Sequence, residues 1–148
     1  MSTIPVWERY LGIPLLKAHD AIYRKTNGWV GHKIPGQAPI LLLHTVGAKT
    51  GEPRVSALSY AKDGASYLIV ASNGGHHRPP GWYFNLKANP RAEINVGPRR
   101  FGVTASIKTP EDPDYARLFA IADDNNSHRY TAYQKKTSRP LQLVVLTP

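Results

Sequence analysis

The sequence predicts a mainly β domain with flanking helices (α+β), in which six antiparallel strands close into a small barrel. Three observations support this fold class. Short apolar runs outnumber helical repeats, glycine-containing turns separate neighbouring runs, and strands do not alternate with helices as they do in parallel sheets. A barrel also removes the exposed edges that an open sheet would leave. The length of 148 residues predicts a single domain, residues 1–148.

The first predicted element is an amphipathic helical segment over residues 1–26, kinked or split at Pro14. Its apolar side chains can share one broad stripe, formed by Trp7, Tyr10, Leu11, Leu15, Ala18, Ile22 and Tyr23. The opposite face is basic. Two interpretations stay open: a helix packed on its own domain, which we favour, and a weak peripheral contact with a membrane surface.

Three apolar runs follow and predict an antiparallel meander. Residues 39–46 form a continuous apolar run, residues 55–61 alternate loosely, and residues 66–72 are apolar and rich in β-formers. The segments between them, residues 47–51 and 62–64, carry the glycines that are typical of hairpin turns.

A short helix is predicted for residues 81–88, because Pro79-Pro80 opens it and Asn89-Pro90 ends it. Residues 91–96 alternate cleanly between apolar and polar side chains. Together with residues 99–107 they predict two further strands.

A second helix is predicted to start at Thr109, with the acids of residues 111–114 in its first turn, where they favour the helix dipole. Its apolar face would consist of Tyr115, Leu118, Phe119 and Ala122. Residues 123–138 are polar and indicate at most a short helix, and residues 141–146 predict a final buried strand. The predicted order is therefore α-βββ-α-ββ-α-β.

Positive charge is concentrated in the middle of the chain. The net charge is +9, and residues 49–108 hold nine Lys and Arg against three Asp and Glu. Such a field attracts nucleic acid, anionic lipid or a polyanionic small molecule. We predict no nucleic-acid binding, because aromatics make up only 9% and no recognition helix is evident. The absence of cysteine and of a signal peptide predicts a cytoplasmic protein, with membrane association left open.

Two glycine-punctuated loops lie in this basic region and could form two walls of one site. Residues 47–54 carry Lys49 and Arg54 on a turn whose N–H groups can face a phosphate or carboxylate. Residues 72–89 contain three glycines and a helix start that offers N–H groups to an anion. A hairpin turn and a solvated basic surface are the structural alternatives.

Several side chains near these loops are candidates for ligand contact. On the predicted short helix, Trp82, Asn85 and Leu86 share a face, and a buried Asn85 would need partners that a ligand could supply. Tyr130 and Tyr133 could line an aromatic pocket and donate protons. For Trp82 and for both tyrosines, a core position is the competing interpretation.

Other chemistries lack the patterns they require. The six histidines show no metal-binding spacing, and the adjacent His76 and His77 are expected to diverge, so we predict no metal. The chain has neither the G-x-S-x-G motif of hydrolases nor a Walker loop, because the 47–51 turn is too short.

Four ordered motifs resemble one known family. LLLHTVGAKTGEPR (residues 41–54), VASNGG (70–75), PGWYFNLKANP (80–90) and the ending VVLTP (144–148) look like the deazaflavin-dependent (coenzyme F420-dependent) nitroreductase and quinone reductase family of actinobacteria and relatives. The resemblance implies a split β-barrel related to the FMN-binding reductases. It also implies the cofactor coenzyme F420, an 8-hydroxy-5-deazaflavin with a phosphodiester and an oligoglutamate tail.

The resemblance further implies a set of site residues. Phosphate and tail would be bound by Lys49, Thr50 and Arg54, and the cofactor-binding set also includes Ala48 in the same turn. The ring system would be bordered by Val55, Ser56, Ala57, Leu58, Ser59, Val70, Ala71, Ser72 and Asn73. The wall would continue through Gly81, Trp82, Tyr83, Phe84 and Asn85, with Tyr130 closing the pocket and Tyr133 beside it.

The chain departs from the family pattern in three places. Ala48 stands where the family often has Arg, and Asn73 stands where some members have Lys. Ser127 replaces a third pocket tyrosine of the nitroimidazole-reducing members, which bears on nitro reduction in particular.

The implied activity is hydride transfer from the reduced coenzyme to a flat conjugated acceptor, such as a quinone, an enone or a nitro compound. N–H groups near Ser72 and the hydroxyls of Tyr130 and Tyr133 would stabilise the developing charge or supply a proton. The alternatives are an FMN-binding split-barrel reductase and a basic membrane- or nucleic-acid-binding module. A small-molecule electron acceptor is the expected partner, and either a monomer or a homodimer is compatible with the fold.

Overall fold

The computed structural model describes residues 38–148. The strands in this range are β1 (Ile40–Val46), β2 (Pro53–Ser59), β3 (Ala61–Asp63), β4 (Ser66–Val70), β5 (Arg91–Val96), β6 (Arg99–Lys108) and β7 (Leu143–Thr147). The helices in this range are α1 (Gly81–Ala88), α2 (Tyr115–Asn125) and α3 (Arg129–Gln134), with a 3₁₀ turn at Asn73–Gly75. The amphipathic segment predicted for residues 1–26 lies outside the described residues.

The strands form one antiparallel sheet in the order β2-β1-β5-β6-β7-β4-β3. The two edge strands, β2 and β3, are consecutive in the chain and are separated by Tyr60 alone. Opposite edges of the sheet therefore meet at this residue, which requires the sheet to curl into a half-barrel. The bend is held through both backbone polar groups of Tyr60. The Tyr60 N–H donates to the Pro39 carbonyl, and the Asn125 side chain donates to the Tyr60 carbonyl.

The prediction of six strands is wrong, because the structure has seven. Residues 55–61 were expected to form one strand of a meander, but the chain breaks at Tyr60. β2 pairs with β1, and β3 pairs with β4 at the other edge. An apolar pattern gives the faces of a strand, not its neighbours, so it could not reveal that the two halves serve opposite edges.

The second helix also begins later than predicted. Thr109 and the acids that follow it form a turn, in which the Thr109 N–H donates to Asp112 at 2.8 Å. α2 starts only at Tyr115, and its first turn contains no acid. The short helix considered within residues 123–138 is present as α3.

The sheet carries a core on each of its faces, and β4 contributes to both by simple alternation. Tyr67 and Ile69 pack into the main core, whereas Leu68 and Val70 pack into a second core. Helix α1 covers the main core through Trp82, Tyr83 and Leu86. Helices α2 and α3 cover the second core through Leu118, Ala122 and Tyr130. No helix within residues 38–148 has the length and apolar character needed to cross a bilayer.

Candidate cofactor-binding site

The β1–β2 turn, residues 47–52, is closed by its own backbone. The Gly47 N–H donates to the Glu52 carbonyl at 2.7 Å, and the Gly51 N–H donates to the Gly47 carbonyl at 2.9 Å. A Cβ at Gly47 would lie 2.7 Å from the Thr50 hydroxyl oxygen and 3.2 Å from the Glu52 carbonyl oxygen. A side chain there would displace the hydroxyl that accepts from Arg54 and crowd the turn.

The turn brings the three predicted phosphate and tail ligands together. Arg54 Nη2 donates to the Thr50 hydroxyl at 3.1 Å, and its Nη1 lies 3.6 Å from the Glu52 carboxylate. Lys49 and Thr50 are exposed. The Arg54 side chain is only 14% exposed, so the turn holds its guanidinium in place close to the exposed Lys49.

Asn85 ties helix α1 to this turn. Its side-chain amide donates to the Thr45 hydroxyl at 3.1 Å, and its Oδ1 accepts the Ala48 N–H at 2.9 Å. Asn85 is only 9% exposed, so these partners satisfy an amide that would be costly to bury alone. The hydrogen-bond partners of Asn85 are therefore groups of the protein, whereas the sequence analysis expected them from a ligand. Through these bonds Asn85 orients the turn.

The second loop, residues 71–78, has an unusual backbone. Asn73, Gly74 and Gly75 are consecutive residues with left-handed φ values of 45°, 64° and 82°. Such a run is unfavourable for ordinary L-residues and persists only where surrounding contacts impose it. One local contact is the Asn73 side-chain amide, which donates to the Arg78 carbonyl at 2.9 Å.

Gly75 sets this loop against helix α3. A Cβ at Gly75 would lie 2.7 Å from the Tyr133 carbonyl oxygen and 3.0 Å from Lys136 Cβ. The loop and the helix therefore approach each other more closely than any side chain at Gly75 would allow. This contact joins Ser72 and Asn73 to the element that carries both predicted tyrosines.

Arg139 contacts the second loop extensively and was not singled out by the sequence analysis. Its guanidinium donates to five neutral acceptors at 3.0 to 3.3 Å: the carbonyls of Ala71, Ser72, His76 and Arg78, and Oε1 of Gln142. Each of the five N–H groups of a guanidinium can thus be assigned to one acceptor. The four carbonyls are 61 to 68 residues away in the chain, so no local pattern signals them.

Helix α1 links the second loop as well as the first. Burial raises the pKa of the Tyr83 hydroxyl, and the nearby positive charge of Arg139 opposes that rise. Tyr83 therefore lies within the field of the residue that holds the 71–78 loop, two positions from Asn85, which holds the 47–52 turn. Helix α1 thus follows the 71–78 loop after Pro79-Pro80 and is hydrogen-bonded to the 47–52 turn through Asn85.

Gly81, the first residue of α1, differs from the two crowded glycines. Its φ is not positive, and a Cβ built on it would meet no heavy atom within 4 Å. Neither the backbone conformation nor packing within the described residues requires glycine there. Open space over a helix N-terminus, between two basic loops, suits the close approach of a flat anionic ligand.

Tyr130 and Tyr133 lie together on α3, with ring centroids 6.4 Å apart in a T-shaped arrangement. Tyr130 is 7% exposed and belongs to the second core, and burial raises its pKa to about 12. Tyr133 is half-buried.

Asp123 holds the start of helix α3 by accepting the Thr131 N–H at 3.0 Å. Burial would raise the pKa of Asp123, but hydrogen bonds from Thr131 and His128 outweigh it and lower the pKa.

The remaining predicted residues are divided between packing and surface. On β2, Val55 and Ala57 pack with Leu42, whereas Leu58 packs on the main core, so neighbouring side chains of this run point to opposite faces. Buried positions are occupied by Val70, Ala71, Trp82 and Tyr83, partly buried ones by Ser56, Ser59 and Ser72, and exposed ones by Ala48, Asn73, Gly81 and Phe84.

The histidines offer no metal centre within the described range. No three His, Asp or Glu side chains of residues 38–148 are grouped so as to hold a metal ion. The expectation that His76 and His77 diverge is wrong, because their rings lie 4.5 Å apart at an interplanar angle of 32°.

The fold and the site together define a class of protein: an antiparallel half-barrel with a basic turn and a rigid glycine loop joined by one helix. Comparisons with known proteins identify the family. The sequence profile described as F420H(2)-dependent quinone reductase matches residues 15–148. An F420H(2)-dependent quinone reductase of Mycobacterium tuberculosis strain H37Rv is 65% identical over 140 residues, covering 95% of this chain and 94% of that protein.

Solved structures agree with this assignment. An F420-H2 dependent reductase superposes with a TM-score of 0.66 and 33% identity, over 73% of this chain and 93% of that one. A chain described as a domain-swapped dimer superposes with a TM-score of 0.68 and 28% identity, over 90% of this chain and 99% of that one. The chain belongs to the F420H(2)-dependent quinone reductase family. The predicted family, oxidoreductase class and cofactor are confirmed.

Proposed function

We propose that this chain binds reduced coenzyme F420 between the 47–52 turn and the 71–78 loop and uses it to reduce a quinone. The observation that carries this proposal is that α1 connects to both loops: it follows the 71–78 loop after Pro79-Pro80, and Asn85 joins it to the 47–52 turn by two hydrogen bonds. A ligand with an anionic tail and a flat ring needs a basic wall and a rigid wall at a fixed spacing. Helix α1 supplies that spacing.

In this arrangement Lys49, Thr50 and Arg54 hold the phosphodiester and tail. The two cations act through charge, and the Thr50 hydroxyl already accepts a hydrogen bond from Arg54, which orients both groups. The open N-terminus of α1 at Gly81 and the Ser72–Asn73 segment form the wall for the ring system. The coenzyme, when bound, supplies the hydride-donating ring carbon, and the chain supplies binding and orientation.

Tyr130 and Tyr133 serve the acceptor side of the site in this proposal. A pKa of about 12 keeps the Tyr130 hydroxyl protonated throughout the physiological range, so it acts as a hydrogen-bond donor. The half-buried Tyr133 is the more accessible phenol and lies on the helix that abuts the 71–78 loop. Tyr133, Tyr130 or water then protonates the reduced product, and the Ser72 region stabilises the charge that precedes it.

Enones and nitro compounds are further acceptors in this proposal, since hydride transfer requires only a flat electrophile held against the ring. Ser127 is exposed, has a left-handed φ of 56° and lies two residues before α3. A serine there lacks the third pocket phenol that the resemblance associates with nitro reduction. We therefore expect quinones to be reduced fastest, and nitro compounds slowest.

The test is a calorimetric titration of the full chain with oxidised coenzyme F420 and, in parallel, with FMN. We expect saturable binding of the deazaflavin and none of FMN at the same concentrations. Reduced coenzyme is then mixed with quinone, enone and nitro acceptors, and its reoxidation is followed by absorbance. Binding of FMN alone would contradict the proposal and favour the flavin alternative.

A further inference from the structure

We propose that Arg139 is the positioning residue for the ring end of the site: it holds the 71–78 loop in the shape that the deazaflavin ring requires. The inference rests on the proposed function and assigns a role to a residue outside all four family-like motifs that mark the site in the sequence. Three observations carry it, and each concerns a different aspect of the loop.

The first observation is the number and distribution of the hydrogen bonds. The guanidinium reaches carbonyls at both ends of the loop, Ala71 and Ser72 on one side and His76 and Arg78 on the other. A planar fork with fixed donor directions sets the distance between these two ends, which a flexible ammonium cannot do. Arg139 therefore closes the loop as a rigid clamp.

The second observation is the strain that the clamp opposes. Asn73, Gly74 and Gly75 are all in the left-handed region, and Asn73 is the residue of this run for which that conformation is least natural. Glycine adopts positive φ values without steric cost, so Asn73 is the residue whose conformation the surrounding contacts must hold. The Ala71 N–H at the start of the loop donates to the Gln142 carbonyl, but the tip carries the exposed Asn73 and Gly74. The hydrogen bonds to Arg139 therefore offset this strain.

The third observation is charge. All five acceptors are neutral, and within the described range no carboxylate forms an ion pair with Arg139. Charge-assisted hydrogen bonds to carbonyls are stronger than neutral ones, which explains how one side chain can hold eight residues of loop. Because no carboxylate in this range neutralises Arg139, a net positive charge also remains next to the 71–78 loop, which would face an electron-rich ring.

The experiment compares two ligands and two variants. The ligands are oxidised coenzyme F420 and its ring fragment, a deazaflavin without the phosphodiester and the tail. The variants are Arg139→Met, which keeps the volume, and Arg139→Lys, which keeps the charge but loses the fork. Arg117→Met is the matched control, because the exposed Arg117 guanidinium pairs with the Asp63 carboxylate and not with the carbonyls of the 71–78 loop.

We expect Arg139→Met to weaken binding of both ligands by the same factor, about tenfold or more, because the ligand must then order the loop itself. The affinity of Arg139→Lys for both ligands should lie between the affinities of Arg139→Met and the wild type. At saturating coenzyme, Arg139→Met should also lower kcat. Lys49→Ala should instead weaken binding of the tailed ligand only and raise its KM.

Amide hydrogen exchange in the unliganded protein should speed up at Gly75 and His76 in both Arg139 variants. It should stay unchanged in strands β5 and β6.

Two results would overturn the inference. One is unchanged affinity of Arg139→Lys and Arg139→Met for the ring fragment while the wild type binds it. The other is faster exchange in β5 and β6 as well as in the loop, which would mark Arg139 as a general stabiliser of the fold. If Arg139→Met does not fold, Arg139→Lys decides by the same criteria. Failure of the wild type to bind either ligand would instead contradict the proposed function.

Discussion

The 47–52 turn and the 71–78 loop lie on either side of helix α1, yet they are stabilised in opposite ways. The turn closes through its own backbone, and Arg54 donates to the Thr50 hydroxyl within the same segment. The loop is held from outside, by the Arg139 guanidinium through its carbonyls and by the close packing of Gly75 against α3. The first region offers positive charge on a locally closed turn, and the second offers a shape fixed by tertiary contacts.

This difference matches what the two ends of the proposed ligand require. A flexible polyanionic tail is attracted at long range and needs no single geometry, so exposed side chains are adequate. A ring that must deliver a hydride has to be held close to its acceptor, and small displacements are costly in rate. The chain therefore places its rigid contacts at the ring end.

The largest effect is expected from Gly75→Ala. The substitution combines a φ of 82° with a Cβ 2.7 Å from the Tyr133 carbonyl, and we expect it to lower the free energy of unfolding by about 3 kcal/mol. Urea denaturation followed by tyrosine and tryptophan fluorescence measures this change. A loss below about 1 kcal/mol would show that the loop and α3 can separate easily.

Gly81→Ala is the comparison for that variant. Its Cβ meets only open space in a helical position, so we expect stability to rise slightly, by up to about 1 kcal/mol. Binding of oxidised coenzyme F420 should nevertheless weaken, because the added methyl group occupies the space assigned to the ring. Unchanged affinity would remove Gly81 from the proposed site.

A smaller effect is expected from Asn85→Ala. The variant leaves the Ala48 N–H and the Thr45 hydroxyl without their partner, which we expect to cost about 2 kcal/mol of unfolding free energy. Because the turn loses its link to α1, the affinity for the tailed coenzyme should also fall. Asn125→Ala is the matched control, because it removes the same type of side chain from α2 together with its hydrogen bond to the Tyr60 carbonyl, and it should leave coenzyme affinity unchanged.

The smallest effect at neutral pH is expected from Tyr130→Phe, which should change stability by less than about 1 kcal/mol and leave coenzyme affinity unchanged while lowering turnover. The two proteins should differ in strongly alkaline solution. An acid with a raised pKa stabilises the fold while protonated, so this contribution is complete below about pH 10 and is lost as the pH rises to about 12. Wild-type stability should therefore fall more steeply than that of Tyr130→Phe across this interval. Parallel curves would show that Tyr130 titrates as it does in water.

Local signals in the sequence were sufficient for much of the fold. Turn glycines located the hairpin between β1 and β2, and the prolines around residues 79–90 located α1, because both act on the backbone where they stand. The break at Tyr60 was missed because it depends on the curl of the whole sheet. The acids after Thr109 predicted a first helical turn, but their side chains instead stabilise a turn before α2.

The candidate site was predictable to a similar degree. The cations and glycines of both loops were proposed from composition and resemblance, and their role in cofactor binding stays a prediction. Two features were not: the role of Asn85 in joining α1 to the turn, and Arg139 as the clamp. Both depend on acceptors and donors far away in the chain, and a side chain's partner at such a distance is set by tertiary packing.

The central claim is that the cations of the 47–54 segment hold the anionic end of the coenzyme. Its most direct test is titration of the wild type and of a Lys49→Ala/Arg54→Ala double variant with oxidised coenzyme F420 at low and high ionic strength. We expect the double variant to bind at least about tenfold more weakly at low salt, with the difference shrinking at high salt as screening removes the attraction. Equal losses at both ionic strengths, or no loss at all, would contradict the account.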